Sequence, residues 1–397
     1  MPPSADPTLP PCDNARDDAL LQYLFCAYLA LIPAGTLFFR FGALESGATM
    51  TFDRAVFWSA NALTCTGFHL QPNSLADFST TGQIGVFLLM LAGALFALMA
   101  GGLIVARILG LAYSATKIVT GALFFLAIGS LLGAGLLMAP SRSFFASLFE
   151  AAASVTNAGM SIDGQRMLAD WHLYLIITPL SAIGGLGLVA VLQLFDAFAC
   201  SIRPSEYTWR ILRLSAAAWL IAFFLLMLPQ GTLTRESVLT SWLYAINTRG
   251  LGAEVVLPIP FARPIWWLLA MLMLVGGMPG STTGGLRITA LTEAASGLRS
   301  ETPTRTLRIA MIWIALFFAA FALVFLLLLA WQPQLATDDA AVLAAGALGN
   351  TGLSHGNVDL TGYPLHLLTV AMYTGHLAPL CFAWWMKNSH RHHVPIM

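Results

Sequence analysis

Four short polar segments, each ending in glycine, are the residues of this sequence best placed to do chemistry. They are Thr64-Cys65-Thr66-Gly67, Thr156-Asn157-Ala158-Gly159, Asn247-Thr248-Arg249-Gly250 and Gly349-Asn350-Thr351-Gly352. Their glycines are spaced 92, 91 and 102 residues apart, and such spacing is typical of an internally repeated architecture. None of the segments contains a carboxylate. Because glycine frees the backbone and a ring of carbonyl oxygens can replace the water shell of a cation, they predict a backbone cation site.

The composition predicts an integral membrane protein. Of 397 residues, 58% are hydrophobic and only 10% are charged, against about 25% charged in soluble domains. Mean hydropathy is +0.77. A net charge of zero argues against nucleic-acid binding, and five scattered cysteines have no metal-site spacing. The apolar runs hold almost no convergent acids, histidines or cysteines, so we expect neither an enzyme nor a protein that needs a cofactor.

The apolar runs divide into long and short ones. Eight are long enough to cross a bilayer: 19–42, 82–106, 115–139, 171–199, 208–229, 264–295, 307–331 and 363–386. Four runs of about a dozen residues each precede a polar segment and predict re-entrant helices: Phe52–Leu63, Ser143–Val155, Glu236–Ile246 and Asp338–Leu348. Asp53, Ser143 and Asp338 are suited to capping three of them.

Basic residues set the predicted orientation. Twelve of the 19 fall between the repeats or near the termini, so the positive-inside rule places both termini in the cytoplasm. The predicted fold is therefore an all-α integral membrane protein. Four parallel helix–re-entrant loop–helix repeats surround a central pore, with eight transmembrane helices. The predicted segments are a disordered cytoplasmic tail (1–18), repeats at 19–110, 111–200, 201–299 and 300–388, and a cytoplasmic tail (389–397).

The sequence resembles the Trk/Ktr/HKT superfamily of potassium, and sometimes sodium, transporters across about residues 20–388. The resemblance rests on the four polar segments, each followed by an apolar residue, and on the run Gly276-Gly277-Met278-Pro279-Gly280-Ser281-Thr282-Thr283-Gly284-Gly285-Leu286-Arg287. It implies that the 16 residues of the four segments form a potassium filter. It also implies an intramembrane gating loop within 276–285, built from Gly276, Gly277, Gly280, Ser281, Thr282, Thr283, Gly284 and Gly285. Simple helix packing by small residues is the alternative for this loop.

The same resemblance implies partners and a location. We expect potassium ions, membrane lipid, a second copy of the chain in a homodimer, and a separate cytosolic nucleotide-binding ring of the RCK type (TrkA/KtrA-like). The expected location is the bacterial cytoplasmic (inner) membrane. A sodium-permeable or ion-coupled transporter of the same architecture is the alternative within the class. A non-conducting membrane scaffold is the alternative from another class.

Two residues depart from the family pattern. Arg249 stands where a small residue is usual, and we expect its guanidinium to turn into the protein, with Glu150 or Glu254 as partner. His376 stands in the last span where the family often has arginine, facing the path beside the gate. Two hypotheses remain for His376, which are pH-sensitive conduction and a neutral ring hydrogen-bonded between helices.

Three further patterns have simpler interpretations. Gly184-Gly185-Leu186-Gly187 predicts a helix kink or a small-residue packing face. Arg287 and Glu293 either contact a cytosolic regulator or anchor the chain at the inner face. The run His390-Arg391-His392-His393 is typical of a basic tail, with metal binding as the alternative.

Overall fold

The computed structural model describes residues 14–70, 75–139, 142–164, 166–168, 170–231, 233–253, 255–256, 261–298, 305–355 and 358–389. The helices in its first half are α1 Asn14–Gly42, α2 Phe52–Leu63, α3 Thr80–Ile108, α4 Ala115–Leu137, α5 Phe144–Val155, a π-helical turn Leu173–Ile177, α6 Thr178–Gly184 and α7 Leu188–Cys200. The second half adds α8 Glu206–Met227, α9 Arg235–Asn247, α10 Arg263–Leu274, α11 Ile288–Leu298, α12 Arg305–Trp331, α13 Thr337–Gly349 and α14 Tyr363–Ser389.

Strands play a small part within these ranges. Two pairs of two-residue parallel strands are present: β1 Arg166–Met167 with β2 Val255–Val256, and β3 Val275–Gly276 with β4 Leu286–Arg287. The first pair joins the chain that follows two different re-entrant helices. The second pair closes the base of the glycine-rich loop, so it belongs to the candidate site.

Six helices of the described part are long and apolar enough to span a membrane, and a seventh span results if one bent pair is counted. They bear large apolar side chains on the surface, such as Phe124 (64% exposed) and Leu326 (60% exposed), as expected of lipid-facing residues. The sixth predicted span, 264–295, begins as α10, which at 12 residues is about 18 Å long and cannot cross a hydrocarbon core of about 30 Å. Here the glycine loop divides the span.

The bent pair is a break in the fourth predicted span. Leu173–Gly184 and Leu188–Cys200 meet at 111°. The sequence predicted only a kink or a packing face at Gly184–Gly187. The observed change of direction is larger than a kink, because Gly187 adopts a left-handed φ of +87°. Glycine permits that conformation, which turns the chain sharply.

The four re-entrant helices lie where the sequence predicted them. Their observed bounds, α2, α5, α9 and α13, differ from the predicted ones by at most one residue at either end. They are enclosed by protein: α13, for example, is buried from Ala340 through Gly349. Enclosure of these helices keeps the polar chain after them away from lipid, which irregular backbone at membrane depth requires.

The predicted caps are correct for one helix and wrong for two. Ser143 caps α5 by accepting a hydrogen bond from Ala146 N. Asp53 and Asp338 lie inside the first turn instead, because α2 and α13 begin earlier, with Thr51 and Ala336 as N-caps. The sequence also missed Thr234, which caps α9 through a reciprocal capping box with Ser237.

Part of the predicted N-terminal tail is helical. α1 begins at Asn14, inside the segment expected to be disordered. Asp17 is 3% exposed, and its carboxylate accepts a hydrogen bond from Arg107 Nε at the end of α3. This buried ion pair fixes the first turns of α1 against the end of repeat 1. The remainder of the predicted tail, and the run at His390–His393, lie outside the described residues.

We expect Ser143→Ala to lower the free energy of unfolding by about 1 kcal/mol, because an N-terminal donor of α5 loses its acceptor. Thermal unfolding of the purified protein in detergent measures the change. Thr116→Ala is the control, since Thr116 is exposed in the first turn of α4. An equal loss in both variants would contradict the capping role.

Candidate functional site

The four polar segments are brought together by the fold. All 16 residues are buried, with Arg249 the most exposed of the side chains at 9%. A Cβ at Gly67 would lie 1.9 Å from the carbonyl oxygen of Ala158, and one at Gly352 would lie 2.2 Å from that of Thr66. The second and third segments meet through Gly159, where a Cβ would lie 2.2 Å from Leu251 Cγ. The segments therefore stand side by side in the order fourth, first, second, third.

Three of the four segments share one backbone conformation. The glycines Gly67, Gly159 and Gly352 have φ of +89°, +59° and +55°. The residue two positions before each glycine is also left-handed: Cys65 (+52°), Asn157 (+61°) and Asn350 (+49°). Asparagine tolerates this region, whereas for most other side chains it costs about 1–2 kcal/mol. Because the same turn occurs three times, the segments form a repeated backbone structure.

The surroundings of Cys65 hold its segment in this turn. The Asn61 side chain accepts hydrogen bonds from Gly67 N and Phe68 N, both at 2.9 Å, and donates to Phe68 O at 2.8 Å. Thr64 Oγ1 donates to Ala60 O at 2.7 Å, a carbonyl at the end of α2 that also accepts from Thr64 N. Thr156 Oγ1 makes the equivalent bond to Ala152 O at 2.8 Å. Sequence analysis missed Asn61, although its place two residues before the end of a re-entrant helix is a usable signal.

The third segment differs from the other three. Thr248 has φ of −65°, and neither Thr248 nor Gly250 is left-handed. The carbonyl oxygen of Gly250 accepts a hydrogen bond from Ser181 Oγ at 3.3 Å. This carbonyl is thus engaged by a side chain of α6. All four segments are therefore similar in sequence, but only three of them share the same backbone conformation.

Arg249 accounts for a second difference in this segment. One of its terminal nitrogens donates to the carbonyl oxygens of Val275 (3.2 Å) and Gly276 (3.4 Å), and its Nε is buried with no partner in the described structure. The predicted pairing with Glu150 is wrong, because that carboxylate is bound by Arg142 and Arg166. Glu254 lies outside the described residues. Arg249 turns toward the base of the glycine loop.

The loop from Gly276 to Gly285 is buried and internally hydrogen-bonded. Arg287 donates to Thr283 O at 2.7 Å and to Met278 O at 3.2 Å. Ser281 Oγ donates to Met278 O at 2.8 Å. Parallel pairing of β3 with β4 closes the base. Arg287 therefore supports the loop, a role that neither sequence interpretation of this residue included. Glu293, which was interpreted together with Arg287, pairs with Arg210 at 2.6 Å instead.

The break between α6 and α7 supports the loop from repeat 2. Leu188 N donates to Gly280 O at 3.0 Å, and Met278 N donates to Gly185 O at 3.3 Å. A Cβ at Gly187 would lie 2.4 Å from the carbonyl oxygen of Pro279. The predicted packing role of this glycine run is therefore correct. Its partner is the glycine loop, and the broken helix satisfies backbone groups of the loop as well as its own.

Side chains of three polar segments reach the loop. With the Asn157 amide oriented to satisfy both its groups, Asn157 Oδ1 accepts from Thr282 Oγ1 at 3.1 Å. Asn350 packs so closely on Gly284 that a Cβ there would lie 1.9 Å from Asn350 Oδ1. Arg249 makes the third contact. A cavity of about 20 Å³ beside Arg249, Ser181 and Gly277 has room for about one water molecule. The loop and the segments thus form a single buried unit.

His376 lies next to this unit but is enclosed by aromatic rings. It is 2% exposed, and its ring stacks on Tyr28 with centroids 5.6 Å apart and planes 7° apart. The Phe96 ring lies 6.1 Å away, and Nε2 has no hydrogen-bond partner in the described structure. The neighbouring Gly375 accepts a hydrogen bond from Gly285 N at 3.4 Å. Tertiary packing thus places His376 against α1 and α3, behind the end of the loop.

A charged cluster lies beside the second re-entrant helix, apart from the polar segments. Glu150 is 3% exposed and binds both Arg142 and Arg166, which also contact Asp163 and Asp170, respectively. Burial alone would raise the pKa of the Asp170 carboxyl, but hydrogen bonds from His172 and Arg166 outweigh it and lower this pKa. Asp170 therefore contributes stability that is present above its ordinary pKa and is lost as the pH falls through the lowered value. In the described ranges, no cluster of His, Cys, Asp and Glu could hold a metal ion.

The fold and the buried polar unit define a class of protein. It is a multi-pass membrane protein whose repeats each send a short re-entrant helix and a polar segment to one shared site. In fold, the chain is similar to the potassium transporter TrkH from Vibrio parahaemolyticus. The TM-score is 0.68, with 19% sequence identity, over 93% of this chain and 84% of that one.

Sequence comparison agrees with the fold. The chain is 25% identical to Ktr system potassium uptake protein B of Bacillus subtilis (strain 168) over 280 residues, 64% of this chain and 62% of that protein. It is 26% identical to the potassium/sodium uptake protein NtpJ of Enterococcus hirae over 162 residues, 38% and 36% of the two chains. The chain thus spans under two thirds of each relative. No family model matches it. The resemblance to Trk/Ktr transporters is confirmed.

We expect Glu150→Gln to lower the free energy of unfolding by on the order of 3 kcal/mol, because two largely buried guanidinium groups lose a shared counter-charge. Thermal unfolding in detergent is the measurement. Glu206→Gln is the control, since Glu206 pairs with Arg213 on the surface, where such pairs contribute about 0–1 kcal/mol. Equal shifts in the two variants would refute a structural role for the buried cluster.

Proposed function

We propose that this chain is the pore-forming subunit of a channel-like potassium uptake system. The observation that carries the proposal is the set of four buried polar segments packed side by side, three of which repeat the same left-handed glycine turn. Such turns give carbonyl oxygens the freedom to face a cation, and carbonyls are the ligands that potassium filters use. Two relatives are named for uptake of potassium or of potassium and sodium, which supports cations as the substrate class.

The 16 residues of the four segments are the proposed filter. Re-entrant helices end beside them, and helix C-termini carry about half a negative charge each, which favours a cation. The residues Gly276, Gly277, Gly280, Ser281, Thr282, Thr283, Gly284 and Gly285 are the proposed gate, with His376 behind the end of the loop. Direct side-chain contacts from the segments to this loop support coupling between filter and gate. The repeat boundaries given above remain part of the proposal.

The assembly is a further part of the proposal. We infer a homodimer in the bacterial inner membrane with both termini cytoplasmic, regulated by a separate cytosolic nucleotide-binding ring. The positive-inside distribution of arginine and lysine supports the orientation. A sodium-permeable transporter is the second candidate. The departure of the third segment from the common turn favours it, since a filter with one altered quarter provides fewer matched carbonyls for potassium.

We expect expression of the wild type to restore growth of a potassium-uptake-deficient bacterium at low potassium, and Gly67→Ala to abolish the rescue. A Cβ at Gly67 would collide with the Ala158 carbonyl oxygen and strain a φ of +89°. Gly47→Ala is the control, because Gly47 has φ of +68° but open space around it. Membrane abundance is measured for each variant. A well-expressed wild type without rescue would favour a non-conducting scaffold.

We expect Gly187→Ala to raise basal potassium flux into proteoliposomes severalfold, because its Cβ would push Pro279 and shift the loop. Gly110→Ala is the matched control, with φ of +64° and nothing near its Cβ position. Flux is followed by a potassium-sensitive dye at equal protein content. Unchanged flux in a folded Gly187→Ala protein would count against the loop as a gate.

A further inference from the structure

Position 249 is where the four segments differ most in size and charge. The equivalent residues in the other segments are Thr66, Ala158 and Thr351, which are small and uncharged. Each precedes a left-handed glycine, whereas Gly250 after Arg249 is not left-handed. The large charged residue and the altered backbone thus occur together in one quarter of the proposed filter.

The contacts of Arg249 account for the altered backbone. Its guanidinium binds two consecutive carbonyls at the base of the loop, Val275 O and Gly276 O, 26 and 27 residues along the chain. A guanidinium held at its far end restricts the rotamers that the side chain can adopt, and with them the backbone positions open to Arg249. The next residue is held as well, because Gly250 O accepts from Ser181 Oγ, and the Asn157 side-chain amide packs against Gly250 so closely that a Cβ there would lie 2.5 Å from it.

No carboxylate in the described part of the chain pairs with Arg249, and its hydrogen bonds there go to the two loop carbonyls. Its Nε also has no hydrogen-bond partner there. A buried, uncompensated guanidinium is unfavourable for stability and disfavours a cation close by. If the side chain at position 249 only filled space, an apolar residue of similar size would do so without burying a charge. The arrangement is therefore better explained by an effect on the pathway.

We propose that Arg249 is a positioning residue that ties the third filter segment to the base of the glycine loop and keeps this segment out of the turn adopted by the other three. The inference rests on the proposed cation pathway. In the wild type, the first, second and fourth segments provide matched carbonyls, and the third segment does not. Discrimination between potassium and sodium is consequently weak, and the third segment moves only together with the loop.

The experiment compares the wild type with Arg249→Ala, which restores the residue type of the second segment. The ratio of potassium to sodium flux is measured in proteoliposomes. Thermal unfolding of the purified protein is measured in potassium and in sodium. We expect the ratio of potassium to sodium flux to rise about tenfold in Arg249→Ala. We also expect the difference between the melting temperature in potassium and that in sodium to be larger in Arg249→Ala than in the wild type. Specific binding of an ion to the folded state raises the melting temperature, whereas a general packing role would change it equally in both salts.

Two further variants separate the effect of the positive charge at position 249 from that of its hydrogen bonds to the loop carbonyls. Arg249→Lys keeps the charge but cannot present a planar guanidinium to two carbonyls, so we expect it to behave as Arg249→Ala does in the unfolding assay. It also tests the proposal if Arg249→Ala does not fold. Arg213→Ala removes an exposed arginine from the same repeat, whose partner Glu206 is exposed as well, and should match the wild type in both assays.

The outcomes distinguish this inference from the proposed function. A wild type that carries neither ion contradicts the proposed function. A conducting wild type, with an Arg249→Ala variant unchanged in flux ratio and in the potassium-specific melting shift, overturns the role of Arg249 alone. An Arg249→Lys variant identical to the wild type in both assays shows that charge and not the tether acts, and likewise overturns the proposal.

Discussion

Irregular backbone at membrane depth must have its N–H and C=O groups satisfied by protein, and this requirement shapes the molecule. At the end of each re-entrant helix, backbone groups lose their hydrogen-bond partners within the helix. The hydroxyls of Thr64 and Thr156 bond to carbonyls of the last helical turn, so these buried polar side chains are paired within their own helix ends. Asn61 and Asn247 satisfy the turns that follow, since Asn247 accepts from Gly252 N and donates to Ala253 O. The spanning helices enclose these structures and keep lipid away from them.

The glycine loop solves the same problem by a different route. Its backbone groups are bound by Arg287 from its own end and by the broken helix of repeat 2. Because the break exposes backbone groups of Gly185 and Leu188, the loop and the break satisfy one another. Neither element is stable in lipid alone. The glycine loop and the break between α6 and α7 are therefore joined by hydrogen bonds as well as by packing.

Repetition of the sequence does not impose equal structure on the four quarters. Three segments accept a left-handed residue and a left-handed glycine, and the third carries a buried guanidinium that binds the loop. An uncompensated charge at that depth lowers stability and is retained only with hydrogen bonds such as those to Val275 and Gly276. The third segment is accordingly linked to the proposed gate through a charged side chain, whereas the second and fourth segments contact it through asparagines.

The class, the four re-entrant helices and the set of polar segments could all be predicted from the sequence. Hydropathy and glycine spacing are local properties, and the bounds of α2, α5, α9 and α13 followed from them to within a residue. Four features could be seen only in the folded chain: the partners of Arg249, the stacking of His376 on Tyr28, the 111° break before Leu188, and a left-handed glycine turn in the first, second and fourth segments but not in the third. Each depends on groups distant in sequence, because a buried polar atom bonds to whichever donor or acceptor the fold brings within about 3 Å.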